Sequence, residues 1–342
     1  MNVTTWRWPL PSLVVIGALA LAGCVTTPTA STDADAGTGA PVVISGSSTV
    51  EPISSLVAED FGAANDGFEY EVDGPGTGDG FARFCAAETD ISDASRPISE
   101  EEVAACEEAG IPWVELKIAV DGISVLTSTS NDAVECLSFL DLYALLGPES
   151  QGFASWSDAD SLADELAGTL GDDMGAAHTP YPAAPLEATA PGEESGTYDS
   201  FLEIVFDDIA EARETDSVAR PDYTASADDN VIIEGVSGTD SSLGWVGFAF
   251  YEENADVVKA LEVDGGDGCV APTSETIASN QYPISRDLFI YVNTDRAAAN
   301  EALVSFVDYY LSDEGIAAVE EAGYVPLSVE ALEQTRAAWA GR

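Results

Sequence analysis

Positive charge is scarce in this sequence: Lys and Arg number 11 against 62 Asp and Glu in 342 residues, a formal net charge of −51. Such a balance excludes nucleic acid as a partner, because neutralising phosphates and releasing their counterions takes Lys and Arg. It also argues against adsorption to anionic lipid head groups. His178 is the only histidine, and no C-x-x-C pair occurs among the five cysteines, so neither a zinc site nor any other metal or cofactor is expected. Beyond the N-terminal segment no apolar run is long enough to span a bilayer. What is present is 46% apolar residues, ample for a packed core, so a disordered acidic chain is excluded as well. The length suits one large domain or two smaller ones.

The N-terminus carries an address. Arg7 precedes "LPSLVVIGALALAG" (10–23), an apolar run of signal-peptide length that ends in "LAGC" (21–24). That tetrapeptide looks like a bacterial lipobox, in which residues 1–23 are removed and Cys24 becomes the lipidated first residue. Residues 24–40 are small, polar and low in complexity, as a flexible tether requires. The expected product is extracytoplasmic, on the periplasmic or outer face, and touches the cell membrane through its lipid anchor alone. Cys85, Cys106, Cys136 and Cys269 remain, an even number that favours two disulfides in any of three connectivities.

From residue 41 strands alternate with amphipathic helices, which predicts an α/β fold. "PVVISG" (41–46) reads as a strand, followed by a helix with Val50, Ile53, Val57 and Phe61 on one face. Ser99 and Glu102 form a capping box ahead of another helix. "WVELKIAVDGISVLTS" (113–128) is strand-rich, and 131–150 is expected to be helical. The acidic Ala/Gly/Pro-rich stretch 157–185 reads as an exposed insertion, with His178 an incidental loop residue. Helix resumes near Ser195, with Phe201, Val205 and Ile209 on one face, and "LFIYVN" (288–293) is a buried strand.

Three helix starts share a chemistry. "GSST" (46–49), "GTGDG" (76–80) and "ESGT" (194–197) each place glycine and a hydroxyl where the chain enters a helix. Unpaired N–H groups and the positive end of the helix dipole make such a start an anion site, and hydroxyls add donors. "DASR" (93–96) adds a carboxylate and a guanidinium. In order and spacing, "ISGSSTVEPI", "GPGTGDGFARFCAAETDISDASRPIS", "APGEESGTYDSF", "LGWVGFAFYEEN" and "GYVPL" resemble the phosphate-binding lipoproteins of bacterial ABC importers, the PstS family, from about 41 to 342.

The resemblance implies a two-lobed periplasmic-binding-protein fold of type II, with the ligand cleft between lobes joined by two crossover segments. Lobe one would be 41–120 plus 280–342, and lobe two 121–279. On that division Cys85 would pair with Cys106 and Cys136 with Cys269, because a cross-lobe bond would tether the cleft. The implied phosphate ligands are Ser48, Thr49, Thr77, Asp93, Ser195, Gly196 and Thr197. Some family members carry an arginine four residues before Ser-Gly-Thr, where this chain has Pro191; Arg96 is then the candidate guanidinium.

Near neutral pH inorganic phosphate still carries a proton, so Asp93 can accept from it, whereas sulfate offers that carboxylate only lone pairs. The expectation is a monomeric receptor that hands phosphate to ABC permease subunits, and not an enzyme. Two alternatives are an exported phosphoester hydrolase using Ser195 or Ser48, which lacks an adjacent base, and a receptor for another oxyanion.

Overall fold

The structure, a computed structural model, describes residues 40–171 and 173–342. The signal at 1–23, the lipidation site Cys24 and the tether up to residue 39 lie outside the described residues. Helices and strands alternate to build a ten-stranded sheet. Its main path runs Tyr70–Asp73, Val42–Gly46, Ile91–Ala94, Ser285–Asn293, Trp113–Ser128, Ser242–Gly247, Glu187–Ala190 and Thr224–Ala225. The first three strands pair in parallel, which requires crossover connections, and the helices Glu51–Ala64 and Thr77–Cys85 supply them.

The 16-residue strand Trp113–Ser128 serves two parts of this sheet. Up to Gly122 it runs antiparallel to Ser285–Asn293, with Asp121 opposite Arg286; from Ile123 it pairs with Ser242–Gly247. Apolar side chains collect on either side of that change. Ile44, Ile53, Leu116, Ile290, Phe306 and Trp339 pack in one core, and Leu140, Trp156, Phe201, Phe206, Trp245 and Tyr282 in another. Val325 and Leu327, near the C-terminus, belong to the second core. The described residues hold together as one unit.

Local rules explain most element boundaries. Val50, Ile53, Val57 and Phe61 are all buried, each contributing roughly 1.5–3 kcal/mol by leaving water. In the capping box Ser99 Oγ accepts from Glu102 N at 3.2 Å, and Glu102 Oε2 accepts from Ser99 N at 2.8 Å. Phe201, Val205 and Ile209 are buried as their spacing requires, although the helix from Gly196 passes through a π-turn at Leu202–Phe206 before Asp207–Arg213.

Two expectations are corrected. Residues 131–150 are not helical throughout: Cys136–Ser138 is a strand, and Ser138 caps a helix confined to Phe139–Leu146. The sheet partner Glu262–Asp264 claims Cys136, Leu137 and Ser138 before the helix can begin. Nor is 157–185 an exposed insertion. Ala159, Leu162, Ala163, Leu166 and Tyr181 join the second core with Trp156, because even an acidic helix buries a stripe when its apolar residues recur every three to four positions.

The structure links Cys85 to Cys106, with Cα atoms 4.4 Å apart, and Cys136 to Cys269, 6.0 Å apart. The first joins two successive helices; the second joins the edge strands of a small sheet formed by Cys136–Ser138, Glu262–Asp264 and Cys269–Val270. Among the described residues no helix is long and apolar enough to cross a membrane.

Candidate functional site

The site begins where strand Val42–Gly46 gives way to helix Glu51–Ala64. Gly46 lies beside Asp93 in the parallel pair, and a Cβ there would sit 2.1 Å from the Asp93 carbonyl oxygen. Only glycine permits that approach. Gly80 is held by the same constraint from the other side, since its Cβ would come within 2.4 Å of the Gly46 Cα. Ser47 N donates to the Asp93 carbonyl at 2.9 Å, and Thr49 N to Ser47 Oγ at 3.2 Å. No side chain caps the helix, whose first turn holds Pro52. Ser48 is half-buried and Thr49 buried.

Thr77 opens the next helix just after Gly76, whose φ of 115° favours glycine. Its hydroxyl lies 3.0 Å from Ser95 Oγ and accepts from Ser95 N at 3.2 Å. The Gly-rich turn and the "DASR" segment are thereby joined.

Asp93 is fully buried. Its Oδ1 accepts from Ser54 Oγ at 3.0 Å, and Ser54 in turn meets Tyr310 OH at 3.2 Å. Its Oδ2 is buried without a protein partner among the described residues. Burial is the main cause that pushes the carboxyl up to about 7; the Ser54 bond opposes it, and the charges of Glu51 and Asp73 add to it.

Arg96, the candidate guanidinium, is engaged by a neighbouring helix. Its guanidinium makes a two-point bond to Glu102, at 2.8 Å on each arm, and lies 5.7 Å from the Phe81 ring centre. It makes no hydrogen bond or ion pair with Asp93. The strand ends at Ala94 and the chain turns, so Arg96 faces the next helix, where the capping box already holds Glu102 in place.

Ser195, Gly196 and Thr197 form a third helix start. Ser195 is the N-cap, its Oγ accepting from Thr197 N at 3.2 Å. A Cβ on Gly196 would lie 3.9 Å from the Ser48 carbonyl oxygen, so this start approaches the first one directly. Aromatic packing anchors the helix behind it: Phe201 stacks on Trp245, ring centres 4.3 Å apart and 13° from parallel. Pro191 offers no donor, and its carbonyl accepts from Tyr223 OH at 2.6 Å.

Side chains not foreseen complete the cluster. Arg286, its side chain 11% exposed, donates through Nη2 to Thr49 Oγ1 at 3.0 Å and to Ser200 Oγ at 2.5 Å. Its Nη1 pairs with Glu203, and its Nε lies 3.5 Å from Asp121 Oδ2. Thr49 Oγ1 and Ser200 Oγ are 3.4 Å apart. Gly196, Ser200 and Glu203 recur at helical spacing, so one helix face meets the start of the first helix. The one signal available in advance was an arginine beside a buried strand in a chain with few cations.

His178 is not incidental, which corrects the earlier reading. Its Nδ1 lies 2.5 Å from Asp141 Oδ2 and its backbone N donates to Asp141 Oδ1 at 3.0 Å. The Asp141 bond raises its pKa, against the opposing effect of burial. Cys136, His178 and Cys269 form a group of metal-ligating type within 4.8 Å, but both sulfurs are bonded to each other. A cavity of about 620 Å³ opens between Phe248, Glu252, Glu275, Tyr324 and Leu327 and shares no residue with the helix starts.

Known proteins resemble this chain in sequence and fold. The model of the PBP superfamily domain matches residues 28–314. Protein SphX of Synechocystis sp. is 36% identical over 296 residues, 86% of this chain and 80% of that protein. Phosphate-binding protein PstS of Staphylococcus epidermidis is 33% identical over 326 residues, 93% of this chain and 89% of its own. A solved structure called "a possible phosphate binding protein", from Planctomyces limnophilus, superposes with a TM-score of 0.78 at 32% identity, covering 89% of this chain and 99% of that one. The chain belongs to the PstS family of the periplasmic-binding-protein superfamily, whose mixed α/β fold it has.

Proposed function

We propose that this protein captures inorganic phosphate outside the cytoplasm and delivers it to ABC permease subunits, acting as a receptor without catalysis. The observation that carries the reading is Asp93: a fully buried carboxyl whose Oδ2 has no partner among the described residues, its backbone paired with Gly46 and Ser47 at the first helix start. A buried polar atom of this kind costs about 1–3 kcal/mol unless a ligand answers it. Phosphate answers it with its own proton. Thr49, Thr77, Ser195 and Thr197 hydroxyls, with the backbone of Ser48 and Gly196, would donate to the remaining oxygens.

A carboxyl poised near 7 can share one proton with phosphate in either direction. Ionised, it repels sulfate. The lobes would then be approximately 41–120 with 280–342 and 121–279, each built mainly on one core, with Tyr282, Val325 and Leu327 reaching into the second, and hinged where Asp121 meets Arg286. Cys24 would carry the lipid that holds this monomer at the membrane. The hydrolase alternative finds no base beside its serines, since the His178 ring lies between Asp141 and the second disulfide and makes no hydrogen bond to Ser48 or Ser195.

Calorimetric titration of the protein stripped of bound phosphate, at pH 8, tests the reading. One-to-one phosphate binding without sulfate heat is expected. Equal binding of both anions would remove Asp93 as the discriminating acceptor, and binding of neither would overturn the receptor reading.

A further inference from the structure

We propose that Arg286 is the cation of the anion site, acting through Thr49 in place of the guanidinium that Pro191 cannot supply. The inference deepens the phosphate reading and rests on it. Its ground is geometric. Arg286 belongs to the strand Ser285–Asn293, opposite Asp121 where the long strand changes partners. From there one nitrogen, Nη2, reaches hydroxyls on two other segments: Thr49 before the first helix, and Ser200 on the helix that starts at Gly196.

The direction of those bonds decides what Thr49 can do. A guanidinium only donates, so Thr49 Oγ1 must accept from it, and the hydroxyl proton is left to point elsewhere. Arg286 therefore leaves the Thr49 proton to donate, either to Ser200 Oγ at 3.4 Å or, when the anion is bound, to a bare phosphate oxygen. A threonine without this partner could equally turn its lone pairs to the ligand. Ser200 accepts from the same nitrogen and lies within 3.4 Å of Thr49, which fixes the spacing between the two helices.

Two carboxylates offset the charge of Arg286, so its effect on the site comes through position. Asp121 and Glu203 flank Arg286, the first buried and the second about half exposed. Asp121 balances the arginine inside the protein, while Glu203 occupies Nη1 from the solvent side. Both arginines are paired with carboxylates, but Arg286 alone of the two also reaches Thr49 and Ser200, which makes it a positioning residue.

Phosphate titration of four proteins tests this: wild type, Arg286→Gln, Thr49→Val and the double variant. Arg286→Gln should weaken phosphate binding roughly 10- to 100-fold, the value of one lost charge-assisted bond. Thr49→Val should weaken it by a similar factor. If Arg286 acts through Thr49, the double variant should be no more than about threefold weaker than the weaker single. Arg286→Lys, which keeps the charge but not the fork, should recover part of the loss.

A cycle built on Arg286→Lys replaces the first if the glutamine variant fails to fold. Multiplying losses in the double variant would overturn the coupling. Binding by Arg286→Gln within threefold of wild type would overturn the assignment while leaving the receptor reading intact. Loss in Arg96→Gln instead of Arg286→Gln would return the role to Arg96. A wild type that binds no phosphate would remove both.

Discussion

Two carboxylates in this protein are equally buried and differently treated. Asp141 accepts from Ser138 N, from His178 N, from Tyr181 OH and, on its second oxygen, faces His178 Nδ1. Among the described residues Asp93 accepts from Ser54 alone, and its second oxygen has no partner. Burial by itself therefore carries no functional message; the message lies in whether the fold supplies partners. Asp141 is satisfied from within and pins the segment that follows the acidic helix to Phe139–Leu146. Asp93 is held in place by strand pairing, with Oδ2 left without a partner among the described residues.

The sharpest way to break this comparison is to remove the unpaired charge. Asp93→Asn should reduce the preference for phosphate over sulfate by about a hundredfold or more at pH 8, since the amide can donate to sulfate where the carboxylate repels it. Unchanged selectivity in competitive titrations would mean that the acceptor lies elsewhere. Asp141→Ala should do the reverse, costing about 2–4 kcal/mol in urea unfolding because several donors lose their acceptor. Phosphate affinity measured below the unfolding transition should stay within about threefold of wild type.

The pH response sharpens the contrast further. Protonating Asp93 turns it into a donor, so sulfate binding should strengthen about tenfold between pH 8 and pH 6 as a carboxyl near 7 takes up its proton. A flat sulfate profile in calorimetry would contradict the titration of Asp93. The two clusters should also separate in the stability of the ligand-free protein. Asp93 is raised from 3.8 to about 7, so its contribution is fully present below pH 4 and is lost as pH rises towards 7. His178 is raised from 6.5, so its contribution is fully present below that value and is lost only above it, as pH passes the folded pKa. Asp93→Asn should flatten the first window and Asp141→Ala the second; urea unfolding at a series of pH values would show a single shared window if the comparison is wrong.

The smallest effect concerns the remaining surface. Distant carboxylates are screened within about 10 Å at 0.1 M salt, so the phosphate on-rate should rise a few-fold as salt is added from low ionic strength. A stopped-flow rate that falls with salt would show that local positive potential dominates the approach.

Much of the site was legible because its pieces are local. Gly46, Ser48 and Thr49 are neighbours, as are Ser195, Gly196 and Thr197, and Asp93 announces itself in a short motif. The capping box that claims Arg96 was legible too: Glu102 stands six residues on, already fixed by Ser99. Arg286 was not, because its partners Thr49 and Ser200 lie 237 and 86 residues away. Residues 157–185 misled through composition. Trp156, Leu162, Leu166 and Tyr181 are few among many Asp, Ala and Gly, yet their spacing was enough to bury them.

Sequence alone determined many helix starts, their apolar faces and the hydroxyls that stand there, since these follow from spacing and capping over a few residues, whereas the start at Phe139 depended on a strand partner far along the chain. Tertiary structure decided which charge meets which. Arg96 went to Glu102 and His178 to Asp141, Arg286 came to Thr49 and Ser200, and Asp93 Oδ2 was left unpaired. Such pairings depend on the close approach of segments distant in the chain, and no local pattern encodes that distance.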